Sequence, residues 1–365
     1  MLYQAADLHL TPTVWKNMPS MQGDSYAALD QIVDICTGGG VVAPKGTALL
    51  ISGDIFDKPK PDSESVGRFV TAMEKLKQCR VDVYIIQGQH EKADPPWGVA
   101  LGAVTYVGDG KVFTIDVGNG KTYDAVSVVG FDYTNALDLK AKLKGTKKVD
   151  ILMLHQMAKQ AIDIEGQWDF DIDWVAKSVK LVLAGDYHAQ LNIGRLWYPG
   201  ATHLRNISET GAKYIIRVNT KNGMKPELIQ LQARQIIEVR VATDDQLDEA
   251  VKTITDVDVD HTTPIEIAMP LVIARYSTEV KSVVARIEEA CQSREFLLRL
   301  KPLVSDTEDV ETEMPQADAT LASCLDQIVE REKDPELHSF VSSLLATPET
   351  RNVLAETKQQ LGIGE

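Results

Sequence analysis

Short apolar and β-branched runs recur along the first half of the chain, each followed by a loop and often by helical spacing. LYQAA, TALLIS, VDVYII, DILMLH and VKLVLA read as buried strands. Between them, Val66, Phe69, Val70, Met73 and Leu76 keep the three-and-four spacing that draws one apolar stripe along a helix. Strands alternating with helices predict a layered α/β sheet whose ligands gather beyond the carboxyl ends of the strands. KVFTIDV and AVSVVG flank a Gly-Asn-Gly turn at 118–120 and predict a hairpin, so the core is not purely strand-helix repeats.

The pattern restarts near residue 235. IIEVRVA, PLVIARYS and EFLLRLKPLV read as strands, with two helices between them. One carries Leu247, Val251 and Ile254 on a single face; the other carries Val280, Val283, Val284, Ile287 and Cys291. A compact β-α-β-α-β unit is expected over 235–304, after a first domain over 1–234. SDTEDVETEMPQAD, at 305–318, is an acidic linker too polar to pack by itself. Residues 319–365 read as terminal helices with apolar stripes such as Leu337, Phe340, Val341, Leu344 and Leu345. Such helices either dock back on their own domain or form a partner-binding arm.

Charge changes the picture once it is located. The 365 residues carry a net charge of -15, which taken whole opposes binding to phosphates, since that relies on Lys and Arg. Residues 1–235, however, hold 26 basic and 26 acidic side chains, against 12 and 27 in 236–365. The excess acid lies entirely in the C-terminal part. Cys36, Cys79, Cys291 and Cys324 are scattered singly, which argues against a disulfide framework or a cysteine metal site. No run approaches the roughly 18 apolar residues of a membrane span, and MLYQAADLHL lacks a signal-peptide pattern. A cytoplasmic location is expected, in a bacterial cell or a virus-infected host cell.

Four of the seven histidines (His9, His90, His155 and His188) stand at the ends of strand-like runs, with Asp7, Asp54, Asp57 and Asp186. Strand alternation is expected to turn Asp7 and His9 to one side. Gly53-Asp54-Ile55-Phe56-Asp57, Gly88-Gln89-His90-Glu91, His155 and Gly185-Asp186-Tyr187-His188 end the next four runs. Each alone is a common turn or a structural histidine; together, five consecutive strand ends bring oxygen and imidazole ligands to one crevice. Mixed ligands of this kind suit Mn²⁺, Fe²⁺ or Zn²⁺ better than Mg²⁺ or Ca²⁺. A bridging aspartate suits a two-metal centre for phosphoester hydrolysis.

The order D-x-H, G-D-x-x-D, G-N-H-[DE], a lone H and G-H-x-H resembles that of the calcineurin-like metallophosphoesterases over about residues 1–210. Asp7-Leu8-His9-Leu10, GDIFDKPKP, LMLHQ and YPGATHLRNISE look most similar to the SbcD-type DNA repair nucleases, relatives of the meiotic recombination eleven nuclease. The resemblance implies an α/β fold: a metallophosphoesterase β-sandwich flanked by helices, with a small α+β capping domain and C-terminal helices. It implies metal one on Asp7, His9, Asp54 and His188, and metal two on Asp54, Gln89, His155 and Asp186, with Asp54 bridging. His90 matches the histidine beside the scissile phosphate. Gln89 stands where the family has Asn, and Asp186 where it has the first His of G-H-x-H; both side chains are able ligands.

The implied activity is that of a DNA nuclease, a 3′ to 5′ exonuclease with endonuclease activity, using two divalent ions, most fittingly Mn²⁺. The implied partners are DNA, an SbcC-like ABC/SMC-type ATPase on the terminal helices, and a second copy of the chain through the helix at 24–36 and the one starting near 63. Lys58, Lys60, Arg195 and Arg205 are candidate DNA contacts, with Lys140, Lys142, Lys144, Lys147 and Lys148 a nearby cluster and Trp15 and Trp97 candidate stacking platforms. Two further readings stay open: a phosphoesterase for a small nucleotide or phosphomonoester, and a catalytically degenerate scaffold for DNA or an ATPase.

Overall fold

The expected strands form, and they sort into three sheets. The computed structural model describes residues 1–303 apart from 13–21, 101, 103, 119–122, 147–148, 163, 165, 207–208, 210, 221–222, 260–262 and 265–266. The acidic linker, the terminal helices, Trp15, Lys147 and Lys148 therefore lie outside the described residues. In chain order the strands are β1 (Leu2–Ala5), β2 (Thr47–Ser52), β3 (Val81–Ile86), β4 (Thr105–Tyr106), β5 (Phe113–Gly118), β6 (Tyr123–Phe131), β7 (Ile151–His155) and β8 (Leu181–Gly185). They continue with β9 (Leu191–Ile193), β10 (Leu196–Tyr198), β11 (Lys213–Asn219), β12 (Lys225–Leu231), β13 (Ile236–Val241), β14 (Leu271–Tyr276) and β15 (Leu297–Pro302). The helices are α1 (Asp24–Thr37), α2 (Ser63–Gln78), α3 (Trp97–Ala100), α4 (Ala136–Gly145), α5 (Asp244–Thr255) and α6 (Val283–Ser293).

Two six-stranded sheets, ordered β12-β11-β1-β2-β3-β4 and β5-β6-β7-β8-β10-β9, pack face to face. Period-two alternation explains how β2 can be buried along its whole length. Its Ala48 and Leu50 enter the core between the sheets with Ile86, Val128, Met153 and Leu183. Leu49 and Ile51 face the other way, onto Leu29 and Ile32 of α1 and Phe69 and Met73 of α2. The second sheet is covered on its outer face by Leu139 and Leu143 of α4 with Phe170 and Val175. The result is the expected helix-flanked sandwich. β5 and β6 pair antiparallel, as the hairpin reading requires.

The restart near 235 forms the all-parallel sheet β13-β14-β15. α5 and α6 cover one face of it through Leu247, Ile254 and Ile287. Leu271, Ile273 and Leu297 on the other face close over Leu204, which is 3% exposed. Arg234, just before β13, is buried and donates to both carboxylate oxygens of Asp24 at 2.9 and 2.6 Å and to the Met269 carbonyl at 2.6 Å. Residues 1–302 form one compact unit. Among the described residues no helix is long and apolar enough to cross a membrane, and Cys36, Cys79 and Cys291 are free and buried.

Candidate metal centre

The carboxyl ends of β1, β2 and β3 in one sheet, and of β7 and β8 in the other, open on a common edge. Gln4 ties the sheets beneath it, its amide donating to Ser52 Oγ and the Ala184 carbonyl at 3.2 and 3.4 Å. Local backbone then does what strand alternation was expected to do. β1 stops at Ala5, and Asp7 and His9 lie beyond it in left-handed conformations with φ of 53° and 39°. Their amides donate to the carbonyls of Gly53 and Asp54 at 3.2 and 2.9 Å, so a turn, and not a pleat, brings both side chains inward. Asp54 and Asp186 are also left-handed, with φ of 51° and 89°. Glycine is required at two neighbours: a Cβ on Gly53 would sit 2.3 Å from His155 Nδ1, and one on Gly88 would sit 1.9 Å from Asp54 Oδ1.

Asp7, His9 and His188 offer ligand atoms within one ion's reach; Asp7, Asp54 and His155 form a second such group, and His9, Asp54 and His90 a third. His9 Nε2 is 3.5 Å from Asp54 Oδ2, and His155 Nε2 is 3.3 Å from the same oxygen. Asp54 thus faces His9 and His155 alike. Two imidazoles are fixed by their far nitrogens: His155 Nδ1–H donates to the Ser52 carbonyl at 2.7 Å, and His188 Nδ1–H donates to Glu209 Oε1 at 2.9 Å. That leaves both Nε2 atoms aimed inward, the arrangement by which an outer hydrogen bond orients a metal-binding histidine. Asp54 Oδ2, His155 Nε2 and Gln89 Oε1 are buried without hydrogen-bond partners. Buried polar atoms without partners are costly, and a divalent cation would satisfy this donor set of imidazole, carboxylate and amide oxygen. Gln89 Nε2 donates to Asp186 Oδ1 at 2.6 Å, so the two residues that depart from the expected pattern bind each other.

The carboxylates and imidazoles of the pocket shift one another's charge. Burial pushes Asp7 up to about 6, against the nearby His155 and His188. Burial opposes charge on Asp54 too, but His155, His9 and the His90 amide hold it down to about 2. Burial also works against a charged His155, yet Asp54, Asp7 and Asp186 outweigh it and raise the ring to about 10. His9 is held well below its usual value by burial and by Arg205.

Around this cluster lie residues with other roles. His90 is 40% exposed at its side chain, with Nε2 4.0 Å from Asp54 Oδ2, and its amide donates to Asp54 Oδ1 at 3.0 Å. Glu91, fully buried, accepts from the Phe56 and Gly88 amides at 3.0 and 3.5 Å, and burial pushes it up to about 8. Arg205 reaches both His9 and Asp57. Lys58 and Lys60 are exposed in the loop after Asp57. Arg195 does not face solvent phosphate: its guanidinium donates to the carbonyls of Ile172, Val175, Ala176 and Val179 and fastens that loop. Trp97 donates to the Pro59 carbonyl and packs edge-on to Phe56. Sequence reasoning missed Glu209 as a partner of His188, although it closes the YPGATHLRNISE segment.

Residues 2–217, which carry every candidate ligand, match the calcineurin-like phosphoesterase family. The chain belongs to that family. Members use divalent metals, in keeping with the grouping of ligands around Asp54. Among curated relatives, the DNA double-strand break repair protein Mre11 of Sulfurisphaera tokodaii is 22% identical over 201 residues, covering 52% of this chain and 50% of the relative. The Mre11 of Sulfolobus acidocaldarius is 23% identical over 197 residues, with the same shares. The uncharacterized metallophosphoesterase YhaO of Bacillus subtilis is 24% identical over 247 residues, covering 60% and 57%. The chain spans about half the length of the curated relatives it matches.

Proposed function

We propose that this phosphoesterase is a DNA nuclease of the SbcD and Mre11 kind, cutting phosphodiesters at a two-metal centre. The observation that carries the reading is Asp54, whose Oδ2 faces His9 on one side and His155 on the other while neighbouring groups pin the ligand rings inward. Asp7, His9, Asp54 and His188 would hold metal one, and Asp54, Gln89, His155 and Asp186 metal two, with Mn²⁺ the best-suited ion. Bound there, the ions would supply charge neutralisation and an activated water for in-line displacement. The chain's own residues do the rest. His90, partly exposed beside Asp54, donates a proton to the departing oxygen. Glu209 keeps His188 in the binding tautomer, and Lys58 and Lys60 meet the backbone phosphates. Arg195 is left out of this surface because its donors are committed to backbone carbonyls.

The finer assignments belong to the same proposal: a 3′ to 5′ exonuclease with endonuclease activity, a capping domain over 235–304, a homodimer, a cytoplasmic location and an SbcC-like ATPase on residues 319–365. A second reading, a phosphoesterase for small esters, is supported by the similarity to YhaO. Plasmid DNA, single-stranded oligonucleotides and bis-p-nitrophenyl phosphate, each assayed with Mn²⁺, separate the two. Cleavage of DNA supports the nuclease. Turnover of the small ester with no cleavage of any DNA replaces it with the second reading.

A further inference from the structure

Arg205 makes a contact that the ligand assignment leaves unexplained. One arm of its guanidinium, Nη1, donates to His9 Nε2 at 2.8 Å; the other, Nη2, donates to Asp57 Oδ1 at 2.5 Å. Nε2 is the nitrogen that His9 turns toward Asp7 Oδ1, at 3.9 Å, and Asp54 Oδ2, at 3.5 Å. It is therefore the lone pair that metal one needs. A neutral imidazole has one such lone pair, and it serves one partner at a time. Arg205 and metal one compete for the same atom.

The surroundings limit how that competition is resolved. Leu204 is buried under the Leu271, Ile273 and Leu297 face, and the Arg205 amide donates to Glu209 Oε2 at 3.2 Å, so the backbone at 205 is held on both sides. Asp57 faces both partners of this contact, with Oδ1 on Nη2 and 3.5 Å from His9 Nδ1. The side chain is the part left to move. Arg205 is 21% exposed at its side chain, between the buried ligands and the open mouth where His90 and His188 lie.

Resting on the two-metal reading above, we propose that Arg205 is an exchangeable cation. It holds His9 Nε2 until a divalent ion takes site one. It then turns about Asp57 and presents the freed N–H groups to the substrate phosphate, a planar donor pair suited to phosphate oxygens. Metal loading and substrate grip are thereby coupled through one side chain.

Calorimetric titration of the full chain with Mn²⁺, and of the Mn²⁺-loaded chain with inorganic phosphate, tests this without reference to turnover. Arg205→Ala removes a positive charge and a competing donor, and should tighten Mn²⁺ binding roughly tenfold at one site while weakening phosphate roughly tenfold. Arg205→Lys, which keeps the charge but lacks the fork, should fall between. In a His188→Ala background, which lacks a site-one ligand, Arg205→Ala should leave the remaining Mn²⁺ constant unchanged. Unchanged or weaker Mn²⁺ binding in both Arg205 variants, with two ions still bound by the wild type, overturns the exchange and leaves the two-metal reading standing. A wild type that takes up no Mn²⁺ overturns both.

Discussion

The two halves of the candidate metal centre are built differently. On the His155 side the residues are turned upon one another: His155 Nε2 lies 3.3 Å from Asp54 Oδ2, and Gln89 is fastened to Asp186. On the His9 and His188 side the ligands are linked outward, His9 to Arg205 and Asp57, His188 to Glu209, and Glu209 onward to Lys213 at 3.7 Å. One half is closed by contacts among its own residues, and the other is tied into a charged outer layer. Substitutions should therefore act locally on the His155 half and through relays on the His9 half.

Removing the shared residue should erase the distinction. Asp54→Ala is expected to lower phosphodiesterase activity at least about a thousandfold and to abolish binding of both ions in a Mn²⁺ titration; retention of one tight ion would mean that Asp54 does not bridge. The next largest effect concerns the His155 half alone. Joint replacement Gln89→Asn and Asp186→His removes the amide–carboxylate pair and should tighten one Mn²⁺ site about tenfold while leaving the other alone. On the His9 half, Glu209→Gln keeps an acceptor for His188 but loses the charge, and about a tenfold weaker site one is expected by the same titration.

The smallest and most general effect is on stability. In EDTA-treated protein, Glu91 (about 8 when folded) and His155 (about 10) bind more protons folded than unfolded above pH 7. Stability conferred by those protons is lost as pH rises through these values, at about 1.4 kcal/mol per pH unit for each proton of difference. The buried neutral rings of His9 and His203 oppose this only below about pH 6.5, where unfolded histidine takes up a proton. The melting temperature should fall between pH 7 and pH 9, and saturating Mn²⁺ should reverse the trend. A metal-free melting temperature that rises over that interval would break the account of Glu91 and His155.

The sandwich was legible because its evidence is periodic. β2 alternates Ala48 and Leu50 against Leu49 and Ile51, and the strand ends carry their ligands in sequence order. What escaped depends on contacts across long stretches of chain. Arg195 and Arg205 look alike as cations ten residues apart, yet one is absorbed by four carbonyls and the other lies on His9, a distinction no local pattern records. The pairing of Asp7 with His9 was foreseen for the wrong reason, since alternation was credited with what two left-handed residues accomplish. Glu209 was harder to find, because it lies 21 residues beyond the His188 it partners.

Four candidate ligand positions, Asp7, His9, Asp54 and Asp186, hold left-handed backbone that glycine adopts freely and other residues adopt at about 1–2 kcal/mol each. Glycine at any of them would relax the chain and delete a ligand in the same step. A protein with no use for the site would gain thermal stability by drifting that way. Among the described residues, Arg80, Met224, Ser282 and Glu295 share this conformation singly elsewhere, so half of the non-glycine left-handed backbone is gathered where the proposed centre would need carboxylate and imidazole side chains.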